Sequence, residues 1–196
     1  GIENWIGASN NNFGVTLSSC VAVADYIDPT NTNSTIPVLQ PILLASRKSC
    51  HGEGNEYLQT GDHHYRFSLT SHKSSWQNGF TFGKQANEKL IVVVNPKQYV
   101  NSSLPEEKSF FSVNQGNVII STIKKAEDDN SVVVRLYDAL GKDSNIELNS
   151  FYNISSARST NLIEVDEAAI NYENNRIQII LGNNSIHTMK VFYNKK

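Results

Sequence analysis

The sequence lacks most of the features that announce a chemistry. Its 196 residues hold two cysteines, Cys20 and Cys50, which are too few for a disulfide framework and leave the redox compartment open. No apolar run approaches the roughly 20 residues needed to span a bilayer. The longest, "LIVVV" at 90–94 and "PILLA" at 41–45, are strand-sized, so no membrane partner is expected. Charge of either sign is not in excess: the formal net charge is −2 and the 17 Lys and Arg residues are scattered. That removes the basic footprint a nucleic-acid partner requires. No G-x-S-x-G elbow marks a serine nucleophile, and no helical period runs for three turns or more. Only "DEAAINYE" at 166–173 suggests a short helix. The chain opens on Gly1 with no leader ahead of it, which reads as a fragment of a longer polypeptide and leaves its compartment unknown.

What is present is asparagine and a period of two. Asn-rich stretches such as "ASNNNFG" (8–14) and "DPTNTNST" (28–35) read as turns, because the Asn side chain mimics the backbone and tolerates left-handed geometry. Four sequons, at Asn33, Asn101, Asn153 and Asn183, are what chance supplies in so Asn-rich a chain. Phe13, Val15 and Leu17 alternate with small or polar residues; Ile177, Ile179 and Leu181 alternate with Arg176, Gln178 and Ile180, and Met189, Val191 and Tyr193 with Thr188, Lys190 and Phe192. Further strands are expected at 20–24, 38–45, 62–70, 90–94, 117–125, 131–137 and 145–152. Many short strands between polar turns predict an all-β fold built of sandwiches. The segment "NPKQYVNSSLPEEKSFFS" holds two of the five prolines. It divides the chain into 1–95, a connection at 96–112, and a compact sandwich at 113–196.

One stretch concentrates candidate chemistry. "GDHHYRFSLTSH" (61–72) carries His63, His64 and His72 beside Asp62, with His51, Glu53 and Glu56 just upstream. In a strand, alternate residues share a face, so His63 would lie with Tyr65, Phe67 and Leu69, opposite Asp62 and His64. That splits the histidines and disfavours a zinc site, which needs three or four converging ligands. His63 on the apolar face reads as a buried, hydrogen-bonded core residue. Glu53, Glu56 and Asp62 read as solvated acids, because spacing alone cannot place two carboxylates across a cleft.

The same stretch carries a resemblance. Gly61-x-His63-x-Tyr65-x-Phe67-x-Leu69-x-x-His72, followed by Trp76, resembles a segment in the C-terminal half of glycoside hydrolase family 38 α-mannosidases. "ANEKL" (86–90), "IKKAEDD" (123–129), "VVRLYDALG" (133–141) and "NLIE" (161–164) resemble further family segments in the family's order. "FGVTLSS" (13–19) and "ILLASR" (42–47) match family strands more loosely. Ser71 and Lys89 stand where the family has Pro, Asp138 where it has Glu, and Asn161 where it has Asp. The last two swaps put in doubt any salt bridge made there.

The resemblance implies the non-catalytic β portion of a retaining, zinc-dependent α-mannosidase, with the end of a large mutarotase-like sandwich preceding a small one. The nucleophile, the zinc ion and its ligands would belong to an α/β catalytic domain absent from this chain, so no catalytic, cofactor or metal residue is assigned within it. The implied partners are that domain and mannose-containing glycans. A second copy of the chain covering an exposed apolar face is also compatible. The resemblance further implies that the β portion braces the catalytic domain and walls the substrate cleft. Arg135 is then a salt-bridge partner or a contact to the catalytic domain, and Trp76 either stacks on sugar or packs internally. A free-standing carbohydrate-binding module, using Trp5, Trp76 or exposed tyrosines, is the alternative.

Overall fold

Period-two patterning does produce sheet, and one short helix breaks it. The computed structural model describes residues 5–19, 24–25, 39–44, 58–88, 90–94 and 105–194. They fall in two units, Gly1–Pro96 and Lys97–Lys196.

In the first unit β1 (Trp5–Ser9), β2 (Gly14–Ser19) and, later in the chain, β5 (Phe67–His72) form an antiparallel sheet in the order β1-β2-β5. The short β3 (Ala24–Asp25) and β4 (Gln40–Pro41) pair separately. The β1–β2 connection is an Asx turn: Asn10 Oδ1 accepts from the backbone N–H groups of Asn12 (2.9 Å) and Phe13 (2.8 Å). Helix α1 (Gln77–Gln85) lies on the side of the sheet that carries Thr16 and Ser18, both buried. Close approach requires glycine there: a Cβ on Gly79 would strike Thr16 and His72, and one on Gly83 would strike Trp5.

The apolar residues of β2 and β5 take the other face. Ile6, Leu17 and Leu69 form one cross-strand row, yet Leu69 is 68% exposed. The "LIVVV" run is also uncovered, at 80–94% exposure, and forms no strand. A strand needs a neighbour to receive its backbone hydrogen bonds, and none of the described elements runs alongside. Of the strand expected at 38–45, residues 39–44 are described and only Gln40–Pro41 among them are strand, and residues 62–66 are irregular and mostly exposed. Of the run at 20–24, residues 20–23 lie outside the described residues.

The second unit is a two-sheet sandwich. Its strands are β6 (Phe111–Val113), β7 (Val118–Lys125), β8 (Val132–Asp138), β9 (Ser144–Ser150), β10 (Ile154–Thr160), β11 (Asp166–Ala169), β12 (Tyr172–Glu173), β13 (Arg176–Leu181) and β14 (Ile186–Tyr193). One sheet runs β11-β10-β14-β8-β7 and the other β12-β13-β9-β6. The inward-facing residues of both, among them Val134, Leu136, Ile146, Leu148, Ile177, Leu181, Met189 and Val191, make one buried core. The expected strands at 117–125, 131–137 and 145–152 appear almost as read. The short helix expected at 166–173 does not: β11 and β12 occupy it, because Arg158 pairs with Ala169 and Tyr172 with Ile177 across antiparallel ladders. Sheet partners distant in sequence override a local helical preference. The described residues are all-β apart from α1.

Candidate functional site

The histidine-rich stretch is taken apart by the fold. His63 is exposed, not buried in a core: β5 begins only at Phe67, so the residues before it leave the sheet. Its Nε2 lies 3.3 Å from the Gln59 carbonyl, and its ring stacks on Tyr65. Asp62 and His64 are exposed as well. His72 points instead toward the helix. Its Nδ1 is 2.7 Å from the Lys73 carbonyl, which can only accept, so Nδ1 carries the proton and Nε2 accepts from the Thr16 hydroxyl at 3.0 Å. Both nitrogens are engaged. Trp76 belongs to an aromatic cluster, stacked on Trp5 at 6.4 Å between centroids and edge-on to Phe80. His51, Glu53, Glu56, Cys20 and Cys50 lie outside the described residues. Among the described residues, no three His, Cys, Asp or Glu side chains converge as a metal site would require.

The segments that do converge are the three motifs of the C-terminal half. From "IKKAEDD" come Lys124, Glu127 and Asp129, from "VVRLYDALG" comes Arg135, and from "NLIE" come Asn161 and Glu164. They meet on the face of the five-stranded sheet turned away from the core. Lys124 Nζ lies 2.6 Å from Glu164 and 3.1 Å from Glu127. Lys190, in the middle of β14 and only 5% exposed, lies 3.2 Å from Asp166 and 3.4 Å from Asp129. Arg158 also reaches Asp166, at 3.1 Å. Arg135 has no carboxylate partner among the described residues. It donates to Thr188 Oγ1 (3.0 Å) and to the Leu162 carbonyl (2.9 Å), tying the 161–165 loop to the sheet.

That loop is closed from within as well. Asn161 Oδ1 accepts from the N–H groups of Ile163 (3.1 Å) and Val165 (3.0 Å), and Glu164 adopts φ 69°. A positive φ is unfavourable for Glu, and the Lys124 ion pair holds it. Asn in place of the family's Asp therefore keeps the acceptor role, since one oxygen serves both donors. Asp138, where the family has Glu, makes no ion pair among the described residues. It accepts four N–H groups at the end of the sandwich.

The electrostatics hold four charges of the network, those of Lys190, Lys124, Glu164 and Asp129. Burial would push the Lys190 ammonium down, but Asp166 and Asp129 hold it above its ordinary value. Glu164 and Glu127 hydrogen bonds raise Lys124, and the Lys124 bond lowers Glu164. Hydrogen bonding from Ser131, whose N–H is 2.7 Å from Oδ1, lowers Asp129 against the cost of burial. Bases held protonated and acids held ionised are poor proton-transfer groups near neutral pH. The network binds loops to a sheet. The sequence reading missed Lys190 and Asp166 in it, although a lysine in the middle of a strand as apolar as 186–193 was a usable signal.

Comparisons with known proteins cover the same segments. Residues 117–189 match the glycosyl hydrolases family 38 C-terminal beta sandwich domain. Alpha-mannosidase G of Dictyostelium discoideum is 33% identical over 101 residues, covering 50% of this chain and 9% of that protein. An alpha-mannosidase from Enterococcus faecalis V583 shares the fold at TM-score 0.67 and 16% identity, over 96% of this chain and 20% of its own. A protein in the glycosyl hydrolase family 38 from Enterococcus faecalis does so at TM-score 0.65 and 14% identity, over 96% and 22%. This chain thus spans less than a quarter of the length of each of these relatives. Over residues 117–189, the chain is thus similar to the glycosyl hydrolases family 38 C-terminal beta sandwich domain.

Proposed function

We propose that this chain is the non-catalytic C-terminal β portion of a retaining, zinc-dependent α-mannosidase acting on terminal α-mannosides. It braces an α/β catalytic domain and supplies part of the wall of the substrate cleft. The observation that carries the reading is the apolar surface of the first unit, which leaves Phe13, Leu58, Leu69 and the whole 90–94 run largely exposed. Isolated exposed apolar residues need no explanation, but this concentration fits a surface covered by another domain. The reading, following the resemblance, places the metal and the nucleophile in the catalytic domain. In two-carboxylate retaining chemistry that domain would form and hydrolyse the glycosyl intermediate.

Hydrolysis of an aryl α-mannoside tests the proposal. The chain is assayed alone and after co-expression with a family 38 catalytic domain, each with and without added zinc. Turnover only in the co-expressed sample is expected. Turnover by this chain alone, abolished by chelation, overturns it.

A further inference from the structure

The four-stranded sheet of the sandwich turns an outer face rich in side-chain amides to solvent, different in character from the charged face of the other sheet. Strand β13 pairs with β9 so that Gln178 sits across from Glu147 and Ile180 across from Asn145, all pointing away from the core. Asn114 is fixed beside Glu147 from the next strand: its Oδ1 accepts the Glu147 N–H at 2.9 Å, and its own N–H donates to the Glu147 carbonyl at 3.3 Å. On the opposite side Asn171 immediately precedes β12, whose Tyr172 pairs with Ile177, and this places Asn171 next to Gln178. The result is a single row, Asn114, Glu147, Gln178 and Asn171, running across the sheet.

This row floors an open cavity of about 560 Å³, which Asn145 and Ile180 also line. A second cavity of about 190 Å³ shares Glu147, Asn171 and Gln178 with the first, so the two form one continuous groove. The combined size falls in the range of small-molecule sites, roughly 300–1,000 Å³. The side-chain amides of Asn145, Asn171 and Gln178 have no hydrogen-bond partner among the described residues. Glu147 is oriented rather than free: Asn149 Nδ2 donates to one oxygen at 3.1 Å, and Arg176 stands 4.0 Å from the other. Ile180, 82% exposed, supplies an apolar edge.

Side-chain amides present donor and acceptor together, and a carboxylate adds a strong acceptor. The complementary ligand offers groups that both donate and accept along an apolar ring edge. A sugar does this. Glu147 disfavours an acidic sugar, and a groove that continues through shared residues fits more than one ring. We propose that the outer face of the β12-β13-β9-β6 sheet binds a neutral oligosaccharide along the Asn114–Glu147–Gln178–Asn171 row. The proposal does not rest on the α-mannosidase reading.

The test is NMR titration of the ¹⁵N-labelled full chain with mannotriose, maltotriose and cellotriose, and with sialyllactose as the acidic control. At least one neutral trisaccharide is expected to shift the side-chain amide signals of Asn145, Asn171 and Gln178 saturably, with a dissociation constant of about 1 mM, in the weak range for a single shallow site. Asn171→Ala with Gln178→Ala, both exposed and outside the core, should weaken that binding at least tenfold while leaving the rest of the spectrum unchanged. Three results overturn the proposal: no saturable shift of these signals with any neutral trisaccharide, equal shifts with sialyllactose, or binding undiminished in the double variant.

Discussion

Replacing Asp138 with Asn changes one atom of the carboxylate and tests the ordering of two loops. The side chain is 6% exposed. Oδ1 accepts from Asn117 Nδ2 at 2.8 Å and the Leu140 N–H at 3.2 Å, and Oδ2 accepts from the N–H groups of Lys142 and Asn184, each at 2.9 Å. Burial alone would push the carboxyl up, but the donors, Asn117 foremost, hold it well below the usual carboxylate range. An amide keeps one acceptor oxygen and turns its NH₂ toward two of the donors. At about 1–3 kcal/mol for each buried group left unsatisfied, the loss is about 4 kcal/mol, close to a thousandfold in the unfolding constant. A unit of this size has roughly 5–15 kcal/mol in all, so the variant should fold but be visibly weakened.

The chain's one methionine, Met189, is fully buried in the sandwich core. Its ¹³C-labelled methyl signal during urea titration therefore reports on this unit alone. The pH dependence follows from the lowered carboxyl. Its stabilisation is complete above the unfolded value of about 4 and fades as pH falls toward the folded one. The gap between wild type and Asp138→Asn should then narrow below about pH 4. A gap under about 1 kcal/mol at pH 7 would refute the reasoning, because even one lost acceptor is expected to cost that much.

Lys190→Leu removes the cation from between Asp129 and Asp166. Because those carboxylates are about one-third exposed, the expected loss is about 2 kcal/mol, below the 3–5 of a fully buried pair, read from the same methyl signal. Gly79→Ala should unseat α1 by driving a methyl into Thr16 and His72. The chain's two tryptophans, Trp5 and Trp76, stack on each other and lie against Phe80. Their fluorescence should shift with an overpacking cost of about 1–3 kcal/mol, while the Met189 signal stays unchanged. His187 is half-buried, its Nε2 has no partner among the described residues, and burial pushes its pKa down while Glu167 opposes. The unfolded chain therefore binds the extra proton more readily, and sandwich stability should fall as pH drops below about 6.5. The urea midpoint of His187→Leu should lose that slope between pH 7.5 and 5.5.

The sequence was readable where one face of a strand is apolar and the strand has a partner. Val134 and Leu136, Ile177 and Ile179, and Met189 and Val191 each announce a core face, and the sandwich is built from them. Strand β10 was missed because its core residues, Ile154 and Ala157, are separated by a register shift between Ile154 and Ser156, which breaks the period. Helix α1 was hidden by its own packing solution. Gly79 and Gly83 face the sheet, so the contact side of the helix carries no hydrophobic signature and has poor helix propensity. The reverse error occurred at 90–94, where apolar composition without a partner strand makes no sheet.

The placement of the recognisable motifs bears on where function should be sought. "IKKAEDD", "VVRLYDALG" and "NLIE" spend their polar groups on one another: Lys124 on Glu164, Arg135 on the Leu162 carbonyl, Asp138 on loop N–H groups. A residue fully engaged in holding a loop has little left to offer a ligand, so these motifs identify the fold and leave its use open. Among the described residues, free hydrogen-bonding capacity lies in the amides of Asn145, Asn171 and Gln178, and none of the three belongs to a motif. They sit on outward positions of β9 and β13 and beside β12, where the core places no demand on residue type. Binding specificity can therefore change on that face without disturbing the sandwich beneath it, which is the division of labour expected when sites are grafted onto a fold.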